Sequence, residues 1–304
     1  MMTKTMTFMQ HIAGTYKFDP SEQFVIRDHH HNVICCTLIN PNGVVVSENY
    51  LLYAKNIPFI IFCHDNVHNI VQSFDFCYQL SIKLGCYCLV FDYIGYGQSG
   101  NTKQHYFANE NSACISIQLV IDHVINMMNV PPKNMLLYGQ GIGVSVATYG
   151  MRYVEDRYLH SIGALILMDV YISTEHHFYQ RLNTIENISY CKSPLCIIHC
   201  DNDIPITYGH QLFSIATCPK TFYVPSDTTY DHFNVVALCH ELSLFLSMHV
   251  EDHLVEVESY RNITPRDDPN VLYVEHNVMK SFGATYKNLS DGISSSASSW
   301  CMIF

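Results

Sequence analysis

Positive charge is scarce in this sequence. Its 304 residues include 16 Lys and Arg against 27 Asp and Glu, which gives a formal net charge of -11. Because phosphate binding needs clustered positive charge, this composition argues against a nucleic-acid partner. Long apolar runs are missing too, both the roughly 18 consecutive residues of a membrane span and the core of a secretory signal. We therefore expect a cytoplasmic protein, or one that faces the cytosol.

Paired cysteines and metal-ligand clusters are also lacking. The 13 Cys are scattered through apolar runs and form no Cys-x-x-Cys pair, a pattern typical of reduced core residues. The histidine run His29-His30-His31 is predicted to be a solvated turn, because neighbours on a strand point to opposite faces and cannot share an ion. No metal site and no cofactor are predicted.

Short apolar runs alternate with segments of helical period. Runs at 59–63, 86–93, 135–140, 163–170, 195–200 and 221–224 are apolar almost throughout, as in parallel strands buried on both faces. Helices are predicted between and after them at 69–84, 109–129, 142–154, 207–216 and 233–249. Earlier runs at 24–26, 33–39 and 44–46 predict antiparallel strands. The expected fold is α/β: a doubly wound, mostly parallel sheet with an antiparallel N-terminal part.

The predicted organisation has three parts. Residues 1–20 form a lead-in, 21–253 the α/β domain, and 254–304 a flexible tail with a Ser-rich stretch at 290–299. Within the domain, the carboxyl ends of the parallel strands are where a ligand site is expected.

A glycine-rich turn follows the predicted strand 135–140. The segment Tyr138-Gly139-Gln140-Gly141-Ile142-Gly143 fits a nucleophile elbow, a strained strand-to-helix turn whose flanking glycines prevent backbone collisions. Gly141 occupies the central position, where a catalytic serine is expected. A phosphate-binding loop is disfavoured, because no Lys-Ser/Thr follows and the spacing is not Gly-x-Gly-x-x-Gly.

Other strand ends supply candidates for the rest of a catalytic triad, in the order nucleophile, acid, histidine. Asp203 follows the strand at 195–200 and could orient an imidazole, and His232 follows the last strand. Asp201 and Asp231 are the fallback candidates for these roles. Backbone N–H groups of Asn66 and Ile142 are the candidates for an oxyanion hole.

Together these motifs resemble the α/β-hydrolase domain-containing protein 17 family, membrane-associated enzymes that remove palmitoyl groups from proteins. The resemblance is carried by Phe62-Cys63-His64-Asp65-Asn66, by the segments 91–100, 137–143 and 193–199, and by Tyr208-Gly209-His210. It implies an α/β-hydrolase fold with Asp203 as acid and His232 as base. It also implies an acylated protein or an acyl chain as the ligand.

Two departures from the family pattern fall on the catalytic machinery. Gly141 replaces the serine, and Asp65 replaces a glycine of the oxyanion loop. Neither Ser145, one helical turn beyond the elbow, nor Ser99, in a structural turn, is expected to substitute. Loss of the triad serine costs on the order of a millionfold in turnover. The sequence therefore predicts a pseudoenzyme that binds acyl chains or acylated proteins.

Two alternatives remain open, so whether the protein is an enzyme is not decided. It could be an active palmitoyl-protein thioesterase or carboxylesterase that uses an unrecognised nucleophile or a water activated by His232. It could also be an interaction scaffold whose former pocket is filled with side chains.

The last four residues, Cys301-Met302-Ile303-Phe304, fit the Cys-a-a-X pattern for prenylation. The Ser-rich stretch before them would let a prenyltransferase reach Cys301. A prenyl anchor would place the protein peripherally on the cytosolic face of a membrane. No polybasic stretch accompanies it, and a single lipid gives only marginal membrane binding.

Overall fold

The computed structural model describes residues 23–46, 57–101, 103, 107–172, 181–200, 204–225 and 235–250. The strands are β1 Phe24–Arg27, β2 Asn32–Ile39, β3 Val45–Val46, β4 Phe59–Cys63, β5 Tyr87–Phe91, β6 Gly100–Asn101, β7 Met135–Gln140, β8 Ala164–Met168, β9 Leu195–Ile198 and β10 Lys220–Tyr223. They form one sheet in the order β1-β2-β5-β4-β7-β8-β9-β10, with β3 and β6 paired to β2.

Strand direction divides this sheet into two parts. The neighbours from β5 through β4, β7, β8 and β9 to β10 pair in parallel. The strands that pair with β2, namely β1, β3, β5 and β6, are antiparallel to it. The predicted doubly wound, mostly parallel sheet with an antiparallel N-terminal part is confirmed.

Within the part of the chain that the structure describes, six α-helices connect or flank these strands. They are α1 Ile70–Leu84, α2 Glu110–Asn126, α3 Gly143–Tyr158, α4 Thr184–Ser189, α5 Ile206–Ile215 and α6 Val235–His249. Local chemistry sets the ends of α1. Its first turn is closed by a capping box between Asn69 and Gln72, and it ends at Gly85 in the left-handed conformation, φ +62°.

Some boundaries differ from the prediction for local reasons. Helix α2 ends three residues early, and Asn129 then turns with a φ of +54°. Helix α3 continues past the predicted residue 154 and ends where Leu159 adopts a φ of +58°. The six-residue α4 and the two-residue β6 were not predicted, because elements this short show no hydrophobic period. The run at His29-His30 forms an exposed turn, as predicted.

The core lies on both faces of the sheet. Alternate residues of β4 divide between them: Phe59 and Ile61 pack with the apolar faces of α2 and α3, whereas Ile60 and Phe62 pack toward α1 and α6. Every residue of β4 is buried. Among the described helices, none combines the length and apolar content needed to cross a bilayer.

Buried thiols should make the fold sensitive to alkali. Burial raises the pKa of Cys35 and of Cys196 to about 12 from the ordinary value of 9.0. Above pH 9 the unfolded chain releases these protons while the folded chain keeps them, so stability is complete below pH 9 and falls above it. We expect urea unfolding in reducing buffer to show a loss of about 1 kcal/mol per thiol between pH 9 and 10.

The variant Cys196→Ala checks the cause. It removes one of the buried thiols whose pKa is raised, so the loss of its free energy of unfolding between pH 9 and 10 should be smaller than that of the wild-type protein by about 1 kcal/mol. An unchanged steepness would mean that the alkaline loss comes from other groups.

Candidate active site

The elbow lies between β7 and α3, with Gly141 at its tip. Gly141 has a φ of +57°, the left-handed region that glycine adopts without steric cost. Its N–H donates to the carbonyl of Met168 on the neighbouring strand, at 3.1 Å, and its own carbonyl accepts from Val144 at 3.2 Å. The turn therefore has the strand-to-helix geometry that a nucleophile elbow requires.

The flanking glycines are required by close packing. A Cβ atom added at Gly139 would fall 2.5 Å from the carbonyl oxygen of Gly143, and one added at Gly143 would overlap the carbonyl group of Cys63. The start of α3 therefore rests directly against the end of β4, which brings the loop after β4 to the elbow.

Asp65 lies in that loop, and its carboxylate lies at the elbow tip. The parallel register pairs Cys63 with Gly139, so the segments that follow the two strands are adjacent. Oδ1 of Asp65 accepts a hydrogen bond from the backbone N–H of Asn66 at 2.7 Å and from that of Ile142 at 3.1 Å. The two N–H groups that the sequence singled out thus converge on one oxygen atom, which belongs to the protein itself.

The same carboxylate occupies the space of the side chain that position 141 lacks. A Cβ atom added at Gly141 would overlap Oδ1 and Cγ of Asp65 and would lie 3.0 Å from Oδ2. Glycine at 141 and aspartate at 65 are therefore sterically coupled. Both positions depart from the family pattern in the sequence, but nothing in the sequence indicates that the two residues touch.

Buried neighbours hold the Asp65 loop in place. The imidazole of His64 is fully buried, and its Nδ1–H donates to the carbonyl of Asp65 at 2.7 Å. Its Nε2 lies 3.8 Å from Oδ1 of Asp92, which accepts the N–H of Ile70 at 2.7 Å. The hydroxyl of Tyr93 donates to the carbonyl of His64 at 2.8 Å. His64 therefore positions the backbone of Asp65.

Asp169 is a further polar residue near the elbow that sequence analysis missed. It directly follows β8, is 4% exposed and has a φ of +53°, unusual for a non-glycine residue. Its N–H donates to the carbonyl of Ile198 at 2.9 Å, and its Oδ1 accepts the N–H of Cys200 at 2.7 Å. Asp169 thereby fixes the end of β9, from which the chain leads toward Asp203. An aspartate immediately after a buried strand was the available signal.

The two serines considered as substitutes have other partners. Ser145 lies on α3, and its Oγ is 2.8 Å from Oγ1 of Thr184 on α4. Ser99 is buried, and its Oγ accepts the N–H of Cys35 at 2.9 Å. The predicted residues Asp203 and His232, with the fallback residues Asp201 and Asp231, lie outside the described residues, as does Cys301. Their roles stay predictions.

A cleft of about 500 Å³ lies away from the elbow, on the outer surface of α3 and α4. Three arginines line it, and each has a polar side-chain partner. Arg152 lies 3.5 Å from Asp156, Arg157 lies 3.4 Å from Asp122, and Arg181 donates to Asn111 at 3.3 Å. Arg152 and Arg157 are thus paired with carboxylates, whereas the partner of Arg181 is a neutral amide. No described group of His, Cys, Asp and Glu could hold a metal ion.

Comparison with known proteins gives relatives but no matching family model. The α/β-hydrolase domain-containing protein 17C of Xenopus tropicalis is 28% identical over 164 residues, covering 53% of this chain and 51% of the relative. The human protein 17B is 26% identical over 209 residues, covering 66% of each. An esterase of Pyrococcus furiosus superposes with a TM-score of 0.57 at 12% identity, covering 80% of this chain and 100% of the esterase. The chain spans about half to two thirds of the length of the relatives it matches.

Proposed function

Because this chain belongs to the α/β-hydrolase domain-containing protein 17 family, we propose that it binds an acyl chain or an acylated protein without forming an acyl-enzyme. Its homologues are α/β-hydrolase domain proteins, and its structural neighbours include esterases. The observation that carries the proposal is the position of the Asp65 carboxylate against Gly141.

Two steps of serine catalysis are affected by this arrangement. Without a hydroxyl at 141 no acyl-enzyme forms there, which costs on the order of a millionfold in turnover. The N–H groups of Asn66 and Ile142 already bind Oδ1 of Asp65, so a substrate oxyanion would have to displace a carboxylate. Losing even one oxyanion-hole donor costs about a hundredfold or more. Both effects favour ligand binding over acyl transfer.

A paired binding and turnover assay tests the proposal. We expect the purified protein to bind a non-hydrolysable palmitoyl thioether peptide saturably. It should resist labelling by a fluorophosphonate. In its presence, a palmitoyl thioester peptide should hydrolyse no faster than it does spontaneously. Hydrolysis that disappears in His232→Ala would instead identify an active thioesterase. Absence of saturable acyl binding would favour the interaction scaffold.

The proposal includes a location on the cytosolic face of a membrane, through prenylation of Cys301. Support comes from the terminal Cys-Met-Ile-Phe sequence. In cells, Cys301→Ser is expected to lower the share of the protein in the membrane fraction, because the prenyl chain, which gives marginal binding, is the anchor that this proposal includes. Unchanged partition of Cys301→Ser would remove the prenyl anchor from the proposal.

A further inference from the structure

Two cysteines that lie apart in the sequence meet beside the edge strand β10. Cys191 precedes β9 and Cys218 precedes β10, and the parallel register of these strands pairs Leu195 with Lys220. The two thiols are hydrogen-bonded to each other, and Sγ of Cys191 also lies 3.3 Å from the carbonyl oxygen of Ser193. Strand pairing therefore builds a dithiol that the spacing of the cysteines along the chain does not reveal.

Both cysteines of this pair lie close to the surface. Cys218 is 9% exposed and Cys191 is 2% exposed. The residues that flank each of them in the chain are exposed. A small oxidant can therefore reach Cys218 from solvent, with the thiol of Cys191 next to it.

The two thiols differ in acidity. The hydrogen bond from Cys191 lowers the pKa of the Cys218 thiol below its ordinary value of 9.0, and the ammonium of Lys220 acts in the same direction, whereas burial and the carboxylate of Glu155 oppose them. Two backbone carbonyls at the end of α5 hold Nζ of Lys220, at 2.5 and 2.7 Å. The same hydrogen bond and burial raise the pKa of Cys191. Cys218 is therefore the thiol that ionises, while Cys191 keeps its proton.

We propose that Cys191 and Cys218 form a modification site, at which a hydroperoxide oxidises the two thiols to a reversible disulfide. The thiolate is the reactive form of cysteine, and a second thiol beside it converts the first oxidation product to a disulfide. The pair lies at the amino ends of β9 and β10, whereas the elbow follows the carboxyl end of β7. Oxidation of the pair therefore does not depend on acyl binding at the elbow.

In the first step, the thiolate of Cys218 attacks one oxygen of the hydroperoxide. A sulfur–oxygen bond forms and the oxygen–oxygen bond breaks, so that sulfur is oxidised to a sulfenic acid and the peroxide is reduced. The departing hydroxide or alkoxide takes a proton from solvent. The products are the sulfenic acid of Cys218 and one molecule of water or alcohol.

In the second step, Sγ of Cys191 attacks the sulfur of the sulfenic acid. A sulfur–sulfur bond forms and the sulfur–oxygen bond breaks, and the hydroxide that leaves takes the proton of Cys191 to become water. The sum is two thiols and one hydroperoxide giving a disulfide, water and an alcohol or a second water. Two molecules of a small thiol such as glutathione reverse the change by exchange, and they leave as their own disulfide.

Peroxide treatment of the full-length wild-type protein tests this site against a second thiol pair in the same chain. Cys77 on α1 and Cys88 on β5 are also hydrogen-bonded to each other, but both are fully buried. After the remaining thiols are alkylated in denaturant, peptide mass spectrometry quantifies each link. We expect the Cys191–Cys218 link to form at least ~10-fold faster than a Cys77–Cys88 link, and reduced glutathione to remove it. A link that forms no faster than the buried one, or that glutathione leaves intact, would overturn the proposal.

Trapping with dimedone, which reacts with sulfenic acids, identifies the thiol that attacks first. In Cys191→Ser the second thiol is missing, so the sulfenic acid of Cys218 should accumulate and be labelled. In Cys218→Ser, Cys191 should be labelled at least ~10-fold less, because it keeps its proton. Equal labelling of the two folded variants would overturn the assignment of Cys218 as the attacking thiol.

Thermal unfolding gives a readout that needs no variant. The link closes a loop that contains β9 and α5, and such a loop restricts the unfolded chain. The oxidised wild-type protein should therefore unfold at a temperature about 5 °C or more above that of the reduced protein. Cross-linked protein without this rise would show that the disulfide strains the native fold, which contradicts a site formed for it.

Discussion

Serine at position 141 is expected to restore acyl-enzyme formation only when the Asp65 side chain is removed as well. In Asp65→Gly/Gly141→Ser the hydroxyl finds room at the elbow, and the N–H groups of Asn66 and Ile142 become free for a substrate oxyanion. We expect fluorophosphonate labelling and at least a ~1,000-fold gain in hydrolysis of a p-nitrophenyl ester over the wild-type protein.

The single variants separate the two requirements. Gly141→Ser alone should stay unlabelled, because its side chain meets the carboxylate of Asp65 and the donors remain occupied. Asp65→Gly alone has no nucleophile. Adding His232→Ala to the double variant should abolish the gain, since the serine would lose its base. A folded double variant no faster than the wild-type protein would show that the rest of the triad is not assembled.

The contact between Asp65 and position 141 should also change the free energy of unfolding, which can be measured independently of activity. Gly141→Ala should lower the free energy of unfolding by about 3–5 kcal/mol, combining about 1–2 kcal/mol for a positive φ with displacement of a charged hydrogen-bond acceptor. Gly85→Ala is a matched control, because Gly85 has a φ of +62° and nothing lies within 4 Å of an added Cβ. In urea unfolding, the free energy of unfolding of Gly85→Ala should fall only by the cost of a positive φ, about 1–2 kcal/mol.

A double-mutant cycle isolates the steric part of this loss. In an Asp65→Gly background, Gly141→Ala should cost no more than Gly85→Ala does in the wild-type protein. The expected coupling between positions 65 and 141 is then about 2–3 kcal/mol. Additive losses at the two positions would mean that the carboxylate moves aside freely when a side chain is introduced.

Several features were open to prediction because they depend on local sequence. Buried strands such as β4 and β7 are apolar almost throughout, and α1 carries its start and stop signals in Asn69 and Gly85. The short α4 was not predictable in this way. Its first turn is closed by the side chain of Asn183, and its position depends on packing against α3, as in the contact of Thr184 with Ser145.

The sequence by itself determined the fold class and the missing hydroxyl at Gly141, because apolar runs and residue identities are properties of the chain alone. Only the tertiary structure decided what fills that position. Parallel pairing of β4 with β7 brings residues 65 and 142 together, although 77 positions separate them along the chain. Backbone N–H groups and the direction of a carboxylate leave no mark on sequence pattern, so the contact of Asp65 with Gly141 becomes visible only in the folded molecule.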